Sequence, residues 1–266
     1  MSLLGWRLRA GLPPATFALL LAIPVVYVLQ LASVWVLRLP LEGLLGLSVA
    51  GFLGGQVWQL FTYQFLHGGA FHLLINMLMF YFLGAEVERS LGRRHFLTLY
   101  FLSGALGGAG WLALTYPYEG ICVGASAAIF GLLSAFAVLF PQREVTLLVM
   151  FVFPITLKAW VLAVALGAIQ LLFTLSPDVG GIAYSAHLAG AVAGLVYTVI
   201  LFRPELLGRA ASAWTTARRV RKQADARREA GEVDRLLDKI AREGIQSLTA
   251  AERQRLERAS RHARSK

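Results

Sequence analysis

The sequence predicts an all-α polytopic membrane protein, a bundle of six transmembrane helices followed by a basic tail. Three observations predict it. Of 266 residues, 57% are hydrophobic and only 15% charged, with a mean hydropathy of +0.63. A soluble domain sits near ~45–50% apolar and ~25% charged, so composition argues against a soluble enzyme, and so much apolar surface argues against disorder. Six windows approach the roughly 20 apolar residues that a spanning helix needs. The basic residues of the connecting loops also alternate from one side to the other. The single cysteine excludes a disulfide framework or a cysteine-rich zinc site, while five histidines leave a histidine-based site open.

The first window, Thr16 to Leu37, is too long for a signal-peptide core and has no small-residue cleavage site behind it, so it reads as a retained span. The others are Phe71 to Val87, Phe96 to Leu114, Ser126 to Phe140, Ala159 to Leu175 and Ala183 to Phe202. Arg7 and Arg9 precede the first span. Arg89, Arg93 and Arg94 separate the second and third, and Arg143 and Lys158 the fourth and fifth. The opposite side holds only Arg38, with Glu42, Glu119 and Asp178. The asymmetry places both termini in the cytoplasm.

Residues 1–202 carry 8 Lys/Arg against 6 Asp/Glu, and residues 203–266 carry 17 against 9. The net charge of +10 therefore belongs mainly to the tail. This divides the chain into a membrane domain, 1–203, and a basic cytoplasmic tail, 204–266. Directly after a hydrophobic helix, such a tail suits an anionic membrane face, and no nucleic-acid partner is expected.

Two connections are unusual. Residues 38–70 are rich in glycine and aromatics (Trp58, Phe61, Tyr63, Phe65), as suits a half-buried loop in the bilayer interface. Residues 141–158 are apolar but interrupted by Pro154, and read as a loop on the cytoplasmic membrane surface. In the tail, residues 204–230 read as a basic linker containing "ARRVRKQADARR". Val233, Leu236, Leu237 and Ile240 then recur at helical spacing, Gly244 suits a C-cap, and Thr249 and Glu252 have capping-box spacing. Together they predict a helical hairpin.

Polar groups inside spanning helices are costly and therefore functional suspects. They cluster here. His72 opens the second span with Asn76 four residues on, Ser126 opens the fourth, and His187 lies near the start of the sixth. In the predicted topology His72, Ser126 and His187 share the non-cytoplasmic end. Ser126, entered through Gly124, is either an N-cap or a group beside free backbone N–H donors at a positive helix end. Gly190 and Gly194, four apart with Ala186 on the same stripe, allow close helix contact. That contact would bring His187 to Ser126, and a neutral histidine can serve as the base a serine nucleophile needs. His72 and Asn76 share one helix face. They are either an interhelical hydrogen-bond pair or donors to an oxyanion. His67 reads as a loop residue lining the same region. A metal site at His67, His72 and His187 lacks a carboxylate and regular ligand spacing, so no metal is expected. Cys122 reads as an ordinary apolar-site residue.

"HGGAFHLLINML", "GASAAIFG" and "AHLAGAVAG", in this order on the second, fourth and sixth spans, resemble the rhomboid family of intramembrane serine proteases. "GAEVERSLG", with Glu88 at the family's acidic position, and "WQLFTYQFLH" in the first loop fit as well. The resemblance covers about residues 50–200. It implies a six-helix rhomboid-like fold, a Ser126 nucleophile and His187 as general base and acid. It implies oxyanion donors from His72, Asn76 and the Ser126 backbone N–H, and Phe130 stacked on His187. Gly124, Gly190, Gly194 and His67 are supporting residues.

No cofactor is implied. The partners implied are transmembrane protein substrates and the lipid bilayer, the location a bacterial plasma (inner) membrane; the oligomeric state is left open. Access is expected laterally, past the fifth helix and a mobile cap at Ser176–Gly181. The sequence departs from the family pattern at Ala127 (commonly glycine), at Trp58-Gln59 (commonly Trp-Arg), and at Phe130 (commonly tyrosine). A non-catalytic helix-binding member of the family and a proton-conducting transporter are the competing functions. The apolar cytoplasmic halves of the spans weigh against the second.

Overall fold

The structure, a computed structural model, describes residues 11–36, 38–39, 41–116, 119–149, 153–176 and 183–264. It divides into two compact units, Met1–Pro204 and Glu205–Lys266.

In the first unit, α1 (Pro14–Trp35) leads into three short helices, α2 (Leu41–Leu45), α3 (Val49–Leu53) and α4 (Gln59–Thr62), and a 3-10 turn at Tyr63–Phe65. Then come α5 (Ala70–Thr115), α6 (Ser126–Leu139), strands β1 (Glu144–Val149) and β2 (Phe153–Lys158), α7 (Ala159–Thr174) and α8 (Tyr184–Phe202). Among the described residues, α1, α5 and α8 are long and apolar enough to cross a membrane, while α6 and α7 are apolar but shorter. Large apolar side chains face outward along them, among them Phe17, Leu21, Phe71, Val164, Leu172, Val192 and Ile200. Water would tolerate no such continuous belt, whereas lipid favours it. The chain is thus an all-α polytopic membrane protein apart from one small hairpin.

The centre of the unit is α6, which packs against α5, α7 and α8. Its Ala127, Ala128, Ile129, Leu132, Leu133, Ala135 and Phe136 are buried. The α6–α8 contact is made by glycine. A Cβ on Gly190 would sit 2.2 Å from the Ala127 carbonyl oxygen, and one on Gly194 2.3 Å from that of Gly131. Only hydrogen fits at either position, so the expected glycine stripe holds and the helices touch backbone to backbone.

The start of α1 is closed by a distant residue. Glu88 accepts hydrogen bonds from the backbone N–H of Ala15 (3.0 Å) and Thr16 (2.7 Å) and from the Thr16 hydroxyl (2.7 Å). Pro13, at the N-cap position, makes no side-chain cap of its own, so Glu88 satisfies donors that the helix leaves orphaned.

The connection between the expected second and third spans is tighter than a loop. Helix runs through residues 70–115, broken only at Gly92, whose φ of 77° and ψ of 159° are non-helical. That left-handed φ favours glycine, and it turns the chain between the two helical stretches. The segment between α1 and α5 folds into the short helices, held by polar side chains turned inward, among them Gln59 and Gln64. Gln59, next to Trp58, is fully buried. Its Oε1 accepts from Ser48 N–H at 3.1 Å, and the Trp58 indole donates to the Leu44 carbonyl at 3.0 Å.

Residues 141–158 are not a plain loop. Antiparallel β1 and β2 pair Glu144 with Lys158, Val145 with Leu157, Thr146 with Thr156 and Leu147 with Ile155. One face carries the two threonines, whose hydroxyls bond at 2.8 Å, and the other puts Val145, Leu147 and Leu157 against the core. Glu144–Leu147 and Ile155–Lys158 each alternate polar with apolar residues, which is a strand signal. The unbroken apolar run from Leu147 to Phe153 masked it.

In the second unit, α9 (Glu205–Glu243) and α10 (Ala250–Arg264) form the expected hairpin around Gly244 and a 3-10 turn, Ile245–Ser247. The expected basic linker is corrected: residues 205–230 are continuous helix. Alanine and arginine are strong helix formers, and charge does not cancel that preference. Leu236 and Leu248 are buried between the helices, and Lys239 pairs with Glu252 at 3.0 Å.

Candidate active site

Ser126 is the first residue of α6, after Ala125 in the N-cap position. The N-cap reading is thereby corrected. Its Oγ lies 2.7 Å from Nε2 of His187 on the first turn of α8. Nδ1 of the same ring lies 2.9 Å from Oε1 of Gln170 on α7. Phe130, one turn after Ser126, stacks on the imidazole with centroids 4.8 Å apart and planes 10° from parallel. Two helices therefore hold the histidine of a third, α6 by one edge and a face and α7 by the other edge. The glycine contact of α6 and α8 sets the distance, since Gly190 sits three residues beyond His187 and meets Ala127.

Gly124 shapes the approach. Its φ of 129° is one that side chains rarely adopt, and a Cβ there would lie 2.8 Å from the His72 ring. The imidazole of His72 thus lies over the backbone that enters α6. The segment is tied down by the Gly124 N–H donating to Tyr63 O at 3.0 Å and by the paired backbones of Leu47 and Cys122. Ser126, whose N–H at the start of α6 has no intrahelical partner, borders the same space as His72.

That space is a cavity of about 1020 Å³, lined by the polar side chains of Ser126, His187, His72 and Asn76 and by apolar Phe130, Met79, Ile129, Leu133 and Leu166. Asn76 is buried, and its amide donates to the His72 carbonyl at 3.0 Å, which leaves a second N–H on the same nitrogen. Glu119 also lines the cavity. Helix α6 has 14 residues, about 21 Å at ~1.5 Å per residue, shorter than a hydrocarbon core of ~30 Å. Ser126, half-buried at its first turn, is recessed in the cavity wall.

The expectation that His67 lines the hollow is corrected. It is buried beside His72, ring centroids 5.1 Å apart and edge-on, and it does not line the cavity. Its backbone N–H and carbonyl are both held by the Gln30 side chain of α1, at 3.0 and 2.9 Å. Among the described residues no group of three His, Cys, Asp or Glu is arranged to hold a metal ion. The expected cap at Ser176–Gly181 lies, after Ser176, outside the described residues.

The residue that sequence reasoning missed is Gln170. A signal existed: it is the one strongly polar side chain in the window Ala159 to Leu175, and it is buried. The same signal attends Gln30, buried in α1.

Comparison with known proteins agrees with this architecture. The Rhomboid domain family matches residues 54–204, and a family of unknown function (DUF6576) matches residues 221–262. RHOMBOID-like protein 1 of Arabidopsis thaliana is 45% identical over 80 residues, covering 30% of this chain and 20% of that protein. Rhomboid protein 1, mitochondrial, of Saccharomyces cerevisiae is 34% identical over 139 residues, covering 50% of this chain and 38% of that protein. Inactive RHOMBOID-like protein 8 of Arabidopsis thaliana is 34% identical over 80 residues, covering 30% and 22%. The matched stretches thus span well under half the length of these relatives. With more than half of its residues inside the matched domain, and with the glycine-packed helices and recessed serine described above, the chain belongs to the rhomboid family.

Proposed function

We propose that this protein is an intramembrane serine endopeptidase that hydrolyses peptide bonds in or near transmembrane segments of membrane-protein substrates, with Ser126 as nucleophile and His187 as general base and acid. One observation carries the reading: Ser126 Oγ lies 2.7 Å from His187 Nε2 in the wall of a cavity large enough for an unwound peptide.

Nε2 takes the Ser126 proton as Oγ attacks the scissile carbonyl carbon. The resulting oxyanion is met by the Ser126 backbone N–H, the His72 imidazole and the Asn76 amide. Loss of one such donor typically costs ~10²–10³ in kcat. His187 then hands the proton to the leaving amine, and an acyl-enzyme remains. Water attacks it, His187 takes the water's proton, and its return to Oγ restores the serine. A helical carbonyl is hydrogen-bonded and hidden, so the substrate must unwind locally. Entry is lateral, past α7.

The membrane domain is residues 1–203 with six crossings, counting residues 70–91 and 93–115 of α5 separately. Both termini face the cytoplasm of a bacterial inner membrane, and the cavity opens on the other side. The tail, 204–266, docks on the anionic inner leaflet through its arginines.

The test is cleavage of a single-span substrate by the purified chain in liposomes, beside Ser126→Ala and His187→Ala. Loss of cleavage by at least about 10³-fold in both, with the fold kept, is expected for a nucleophile and its base. A wild type that neither cuts nor reacts at Ser126 with a fluorophosphonate would replace this reading with non-catalytic binding of membrane helices.

A further inference from the structure

We propose that Gln170 is a positioning residue: its side-chain oxygen holds the proton of His187 on Nδ1 and so leaves Nε2 free to accept the proton of Ser126. The proposal rests on the protease reading for its consequence, though not for its geometry.

A neutral imidazole carries one proton, and the nitrogen that carries it cannot act as a base. Ser126 presents a hydroxyl to Nε2 at 2.7 Å, and a hydroxyl tolerates either tautomer, since it can donate or accept. The choice must come from the other edge of the ring. There Oε1 of Gln170 stands 2.9 Å from Nδ1. With the amide oxygen turned to the ring, as here, Gln170 only accepts, so this contact is a hydrogen bond only when Nδ1 is protonated. The bond lies in a dry setting, for Gln170 is 7% exposed, where an unmet donor or acceptor is costly.

Phe130 does a different job. Stacked at 10° on the ring face, it fixes the plane of the imidazole, but a face contact is indifferent to which edge bears the proton and to a half-turn of the ring. Plane and tautomer are set by two residues on two helices. Among the described residues no Asp lines the cavity, and their one carboxylate there is Glu119, so no described residue takes the place of a soluble triad's aspartate. Gln170 supplies the orienting half of that role and, being neutral, omits the charge that would stabilise an imidazolium. The positioning bond also runs from α7, the helix that flanks the proposed entry.

The test combines a spectrum with a rate. In full-length protein labelled with 15N-histidine, with His187 assigned by difference from His187→Ala, the wild type should show a protonated Nδ1 and an unprotonated Nε2. Gln170→Leu, of similar size and without the acceptor, should give a mixture of tautomers and lower cleavage by about 10²-fold, less than the ~10⁴ seen when a triad aspartate is neutralised. Gln170→Glu keeps an acceptor oxygen and should restore the single tautomer and most of the rate. A wild-type ring protonated on Nε2, or a folded Gln170→Leu with unchanged tautomer and rate, would overturn the proposal. The wild-type spectrum judges it even where Gln170→Leu fails to fold. A wild type that cuts nothing yet shows the Nδ1–H form would sink the protease reading and leave the tautomer lock standing.

Discussion

Glu88 and Glu252 close helix N-termini, one in each unit, and both do it with backbone N–H groups and a threonine hydroxyl. Glu88 receives two backbone N–H groups and the Thr16 hydroxyl at the start of α1. Glu252 receives the Thr249 N–H (2.8 Å) and the Thr249 hydroxyl (3.0 Å) before α10, while Thr249 Oγ1 accepts the Glu252 N–H at 3.3 Å. The difference lies in the alternatives. Glu88 is 3% exposed and closes a helix bound for lipid, whereas Glu252 is at the surface, where water can take over any bond it drops. The same motif is thus structural in one solvent and optional in the other.

The largest test of that comparison is Glu88→Ala. It orphans buried donors that cost ~1–3 kcal/mol each, so the membrane unit should lose about 3 kcal/mol or more, read from unfolding in mixed detergent. A loss as small as that of an ordinary surface mutation would erase the distinction. Thr16→Val removes one donor together with its bond and should cost only about 1 kcal/mol in the same assay.

The smallest effect belongs to Glu252. Its carboxyl is lowered from the ordinary value of 4.5 to about 2, first by the Thr249 N–H and then by Lys239 and the Thr249 hydroxyl. Since the folded form ionises more easily than the unfolded one, its contribution to the hairpin is complete above pH 4.5 and vanishes as pH falls through 2. A carboxyl 13C titration of the full chain should show this midpoint, and Thr249→Ala should move it back up. A wild-type midpoint near 4.5 would show the box to be open in solution.

The two caps also divide what the sequence made legible from what it hid. Thr249 and Glu252 are three residues apart, so their bond is written into a local spacing. Glu88 and Thr16 are 72 apart, and a carboxylate at the end of one span gives no hint of which helix end it will meet. Similar logic runs through the site. Ser126, His187 and Phe130 were readable because motifs on separate helices pointed to one family, and Gly190 and Gly194 because their spacing matches a helix face. Gln170 was passed over because a lone amide in an apolar window says that it has a partner without saying which. The β1–β2 hairpin and the helical basic run failed differently: hydropathy and charge were weighed ahead of alternation and propensity.

The shortness of α6 and α7 has a consequence for how the chain is made. At 14 and 16 residues, both fall below the ~17–25 residues that partition stably into a bilayer alone. Neither is a dependable stop for a translocating chain. Each must be held in the membrane by longer neighbours, and α6 gains its closest one only when α8, made later, brings its glycines against it. Substitution at Gly190 or Gly194 would therefore be felt when the bundle closes, as failed assembly and degradation, before any catalytic step is reached.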